Sequence, residues 1–84
     1  MAHVTITPVA QGQFNALPVT VRQRLEKLFA RLGNWPAVSG AKPLRGNLAG
    51  HFRLRTGDYR VQFLVAGQQV TIDKVGHRDK FYDE

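Results

Sequence analysis

From residue 51 onward apolar and polar side chains alternate, and the alternation breaks at two glycine-containing turns, which predicts three strands over roughly 51–56, 59–65 and 69–76. Side chains alternate across a strand, so Phe52 and Leu54 face one way while His51, Arg53 and Arg55 face the other. Tyr59, Val61, Phe63 and Val65 form the matching apolar set on the second strand, and Val70 and Ile72 can join them from the third. Arg60, Gln62, Thr71 and Asp73 share the polar face. Upstream, Val4 and Ile6 alternate with Thr5 and Thr7 as a short opening strand. Thr7-Pro8 then reads as a helix cap followed by proline at the first helical position, with Ala10, Phe14 and Leu17 on one face and Gly12 as a weak point. Pro18 interrupts that helix and begins another. In it Val21, Leu25, Leu28, Phe29 and Leu32 recur at helical spacing, leaving Arg22, Arg24, Lys27 and Arg31 outward. Gly33-Asn34 supplies the stop, Trp35 covers the helix end, and 35–47 reads as an irregular connection. The expected architecture is a single α+β domain over 1–84, ordered β-α-α-β-β-β, with both helices on one face of a small antiparallel sheet.

The turn between the first two of those strands is Gly57-Asp58. Glycine at the first central position suits a type II′ hairpin, and that turn sets Thr56 opposite Tyr59, Arg55 opposite Arg60 and Arg53 opposite Gln62. Two arginines placed directly across oppose pairing by roughly 0.2–1 kcal/mol, which points to an anion between them, phosphate foremost. The register of the last strand stays open by two residues, but either choice keeps Asp73 on the arginine face, within reach of Arg60, which it would orient.

Composition sharpens this. Lys and Arg outnumber Asp and Glu by 12 to 6, the stretch 27–57 holds no acidic residue, and four of the six acids follow residue 70. A regional positive field of this kind captures polyanions in a salt-dependent manner. There is no cysteine, hence no disulfide framework and no thiolate metal site, and a reducing cytoplasm is expected. No apolar run approaches the ~18 residues of a membrane span, and Met-Ala-His-Val-Thr lacks the plan of a signal peptide, so no membrane association is expected. Simpler roles stand beside the chemical ones: Arg60 in a surface ion pair with Asp73, Arg53 and Arg55 as a solvated face, His77 as a hydrogen-bonded connector.

Four pieces in order, Pro43-Leu44-Arg45-Gly46-Asn47-Leu48-Ala49-Gly50, Phe52-Arg53-Leu54-Arg55, Gly57-Asp58-Tyr59-Arg60-Val61 and Val75-Gly76-His77-Arg78 with Tyr82, closely resemble the RelE/ParE superfamily of bacterial toxin–antitoxin toxins. The Gly-His-Arg element and the tyrosine after it favour the RelE branch. That resemblance implies a small metal-independent endoribonuclease without a cofactor, which cuts mRNA in the ribosomal A site. The ribose 2′-hydroxyl attacks the adjacent phosphate, translation stops, and a cognate antitoxin holds the toxin inactive in a heterotetramer or larger complex. It also implies a catalytic set of Arg53, Arg60, His77, Arg78 and Tyr82, with Arg45, His51, Arg55 and Lys80 holding RNA. The family's basic pair on the first hairpin strand falls on His51, Arg53 and Arg55, with the pairing ambiguous. Familiar members carry lysines there, and arginine is a poor base, so the base candidates in order are His77, His51 and Tyr82. Two alternatives remain open: a ParE-like toxin that inhibits DNA gyrase without nuclease activity, and a plain nucleic-acid-binding module.

Overall fold

The computed structural model describes residues 1–81. Its elements are β1 (His3–Ile6), α1 (Pro8–Asn15), α2 (Val19–Leu32), β2 (Lys42–Pro43), a 3-10 turn (Gly46–Leu48), β3 (His51–Thr56), β4 (Tyr59–Ala66), β5 (Gln69–His77) and a short α3 (Arg78–Phe81). The local signals act as expected at the start of the helices. Thr7 caps α1 by accepting a hydrogen bond from the Ala10 N–H at 3.1 Å, and α2 begins directly after Pro18. The end of α2 differs. Gly33 keeps a right-handed conformation, and the chain unwinds through bonds from the Gly33, Asn34 and Trp35 N–H groups to carbonyls three residues back. Pro36, which has no N–H to continue the ladder, follows at once.

The strands form one five-stranded sheet in the order β1-β5-β4-β3-β2. β3, β4 and β5 are antiparallel neighbours, as the turns require, whereas β1 runs parallel to β5, with Val4 opposite Val70 and Ile6 opposite Ile72. The α+β architecture with one helix-covered face therefore stands, but the sheet is mixed. β1 and β5 are far apart in sequence, so no turn dictated their relative direction. The irregular connection also contributes β2, whose Lys42 and Pro43 pair with Arg53 and Phe52.

Both helices lie on the face that carries Leu54, Val61, Phe63, Val70, Ile72 and Val75, and Leu25, Leu28 and Leu32 of α2 are buried against it. Trp35, just past α2, packs edge-on against Phe52 and Phe63 with ring centroids 4.7 and 5.3 Å away, and so closes that end of the core. β1 stops at Ile6, which leaves the outer backbone of β5 open beyond Ile72. The Gln13 side chain of α1 fills part of the gap by accepting from the Val75 N–H at 2.8 Å. Phe63 is fully buried at the centre of the aromatic group. Phe63→Ala is expected to lower the unfolding free energy by about 3–5 kcal/mol, read from urea denaturation.

Candidate functional site

The face of the sheet away from the helices is built by the β3–β4 hairpin. Gly57 has φ +59°, and among the described residues no non-glycine residue has positive φ, the combination a type II′ turn needs. The pairing follows: Thr56 opposite Tyr59, Arg55 opposite Arg60, Arg53 opposite Gln62, His51 opposite Leu64. Arg53, Arg55 and Arg60 border a hollow of about 100 Å³ together with Gly40, Lys42 and Leu54. Four cations thus meet at one depression, and among the described residues no carboxylate lines it. The sequence pattern does not single out Lys42, because it sits in a stretch without alternation. Only the short β2, which sets it opposite Arg53, brings it here.

Arg60 is oriented by backbone, not by Asp73. Its Nη1 donates to the carbonyls of Gly57 at 3.2 Å and Tyr59 at 3.3 Å. The expected Arg60–Asp73 pair is absent because β5 carries an irregularity. Gln62 lies opposite Lys74 but Phe63 lies opposite Ile72, so Asp73 is the extra residue of a β-bulge, and Gly76 stands across from Arg60. Asp73 instead accepts from Gln62 Nε2 at 3.2 Å and shares a 3.0 Å hydrogen bond with His51 Nε2. The His51 side chain is 16% exposed, and its Nδ1 is buried with no hydrogen-bond partner among the described residues. His51 therefore shares the arginine face as expected, with its ring tied to a carboxylate.

The other anticipated residues lie elsewhere. His77 is opposite Tyr59 in the register, on the helix-covered side of the sheet, and its ring meets that of Tyr59 edge-on at 5.2 Å. Its Nδ1 accepts from the Asp79 N–H at 3.1 Å, the connector role. Once Gly76 is fixed opposite Arg60, strict alternation sends His77 to the far face. Spacing along the chain leaves that register open. Arg78 opens α3 beside the hairpin turn: its N–H donates to the Asp58 carbonyl at 2.7 Å, and its guanidinium lies 3.8 Å from the Asp58 carboxylate and 3.7 Å from that of Asp79. Arg60 and Arg78 are thus anchored to the same turn, although Arg78 does not line the hollow. Arg45 is exposed ahead of the 3-10 turn, also away from the hollow. Tyr82 and the Lys80 side chain lie outside what the structure describes. Among the described residues no helix is long and apolar enough to cross a membrane.

The uncovered face of this small α+β domain thus gathers cations, and comparison with known proteins gives its class. The sequence model of the ParE toxin of type II toxin–antitoxin systems, parDE, matches residues 4–82, and the chain belongs to that family. It is similar, at 31% identity and a TM-score of 0.80, to a chain in the crystal structure of the RelBE2 toxin–antitoxin complex from Mycobacterium tuberculosis, over 92% of this chain and 91% of that one. This likeness supports the RelE-like branch. The fold is shared with the isolated Escherichia coli RelE toxin (22% identity, TM-score 0.77, 92% and 84% covered). It is shared also with the YoeB/ParE toxin from Agrobacterium tumefaciens (19%, 0.73, 92% and 98%). No curated protein sequence matches.

The repulsion between Arg55 and Arg60 makes a direct measurement possible. Arg55→Glu is expected to raise the unfolding free energy at low salt by roughly 0.2–1 kcal/mol, and inorganic phosphate is expected to stabilise the wild type more than the variant. Urea unfolding with and without phosphate reads both effects.

Proposed function

We propose that the chain is a RelE-like, metal-independent endoribonuclease toxin that cleaves mRNA in the ribosomal A site and is neutralised by a cognate antitoxin. The observation that carries this is the convergence of Lys42, Arg53, Arg55 and Arg60 on a single hollow. In-line attack of a ribose 2′-hydroxyl on the adjacent phosphate builds negative charge on the equatorial oxygens. Fixed guanidinium groups stabilise that charge without reorganising. Arg53 and Arg60 take this role over the phosphate, and Arg78, held at the same turn as Arg60, assists from the neighbouring end of the sheet. The attack leaves a cyclic phosphate and a 5′-hydroxyl.

The base must come within reach of the 2′-oxygen. Of the candidates, His51 shares the face of the hollow, two residues from Arg53, and Asp73 holds its ring. His77 lies on the other face, which moves it behind His51 in the order, while Tyr82 stays a candidate for the base, with stacking on a splayed nucleobase as its alternative. Arg45, Arg55 and Lys80 remain assigned to RNA binding. The antitoxin expectation draws support from solved structures of RelB–RelE complexes of Methanococcus jannaschii and Pyrococcus horikoshii, whose toxins share this fold. For this chain the partner would cover the basic face or the helical hairpin, in a heterotetramer or larger complex. Such a toxin works where translation occurs, in the cytoplasm.

The ParE description of the matching family favours one second possibility, inhibition of DNA gyrase without RNA cleavage. Purified protein separates the two. Added to in vitro translation, wild type is expected to cut transcripts, while gyrase supercoiling stays intact. Arg60→Ala should lower the cleavage rate by about 10²-fold or more with folding retained. Blocked supercoiling with intact transcripts would transfer the chain to the gyrase-directed group.

A further inference from the structure

We propose that a second cationic groove, between α2 and the open edge of β3, binds the sugar-phosphate backbone of a further stretch of the same RNA; this rests on the RNA assignment above. Arg24, Lys27 and Arg31 stand three and four residues apart, so they form one stripe along α2, while Leu25, Leu28 and Leu32 hold the helix to the core. Across from the stripe, Arg55 and Thr56 end β3. β2 pairs only with Phe52 and Arg53, which leaves this end of β3 uncovered by a neighbouring strand. Arg24, Lys27, Leu28, Arg31, Arg55 and Thr56 enclose a groove of about 250 Å³.

The groove's charge is uncompensated. Among the described residues no carboxylate lines it, and Arg24, Lys27 and Arg55 form no ion pair, while Arg31 gives one N–H to the Ser39 carbonyl at 3.0 Å. Glu26, the one acid of α2, lines a different depression beside Arg22. Like charges at this helical spacing destabilise an isolated helix, so the stripe works against α2 until an anion offsets it. The lining also selects the occupant. A docked protein segment draws most of its affinity from apolar or aromatic anchors seated in pockets, and the only apolar side chain among the described residues here is Leu28, which is already buried. A sugar-phosphate chain needs none.

Arg55 lines both the groove and the hollow on the sheet face, which makes the two positive surfaces continuous around the β3 edge. Arg24 strengthens the link: its Nη1 lies 3.0 Å from where a Cβ on Gly57 would stand, above the turn that anchors Arg60. An RNA strand with its reactive phosphate at the hollow can therefore leave over Arg55 and run along α2.

The test uses the full chain and a 2′-O-methyl RNA of about 16 nucleotides, bound but not cut, beside a dinucleotide that fills the hollow alone. Fluorescence anisotropy across a salt series compares wild type with Arg24→Gln/Lys27→Gln/Arg31→Gln and, separately, Arg60→Ala. With about 0.7 counterions released per neutralised phosphate on single strands, the triple variant should reduce the log–log salt slope for the long RNA by about 2. Its affinity for the dinucleotide should be unchanged. A slope and affinity equal to wild type for the long RNA, with binding still sensitive to Arg60→Ala, overturns the groove and leaves the RNA assignment standing. Wild type that binds neither RNA overturns both. If the triple variant keeps wild-type RNA binding but loses binding to a glutamate-rich peptide, the groove belongs to a protein partner and the proposal fails.

Discussion

The cross-strand register of the β3–β4 hairpin is the constraint on which everything else in this domain depends. Gly57 adopts a φ that is costly for residues with a Cβ, and the resulting turn pairs Thr56 with Tyr59 and every later position in step. A slip of one residue would invert the hairpin, turning Val61 and Phe63 to solvent and Arg53, Arg55 and Arg60 into the leucine side chains of α2. Burial of the apolar set against α2 and Trp35 therefore holds the cations outward. The core and the cationic hollow are two faces of one choice of register.

Keeping Arg55 across from Arg60 has a cost, and the fold does not relieve it with Asp73. The bulge in β5 carries Asp73 to His51 and Gln62, and Arg60 is tethered by neutral carbonyls of the turn instead. A carboxylate on Arg60 would have neutralised part of the hollow and competed with any incoming anion. Backbone carbonyls orient the guanidinium and leave its charge available. The same bulge gives His51 a carboxylate partner, so one inserted residue both keeps Asp73 off Arg60 and sets the posture of the histidine that opens β3.

Family membership and geometry reinforce each other here. The match to ParE toxins of type II toxin–antitoxin systems extends over residues 4–82, so it spans the strands that position the cations as well as the helices that hold them. The resemblance to a RelBE2 chain covers nearly the whole domain. The sheet face of this chain is rich in arginine, with histidine at the start of β3 and a lysine delivered by β2. A face of this kind suits charge stabilisation better than proton abstraction.

Local chemistry is legible in the sequence wherever neighbours along the chain decide the outcome. Thr7-Pro8 set the start of α1, the leucine spacing set the buried face of α2, and Gly57-Asp58 set a hairpin whose arginine pairing follows from the turn alone. Distant segments had to meet before the remainder was decided. β1 chose a parallel place beside β5, Lys42 reached the hollow through a two-residue strand, Asp73 went to His51, and His77 turned to the side of Tyr59. Each of these depends on a register between strands that no turn residue specifies. Such a register is selected by the packing of the whole sheet against its helices, a global sum that local spacing does not contain.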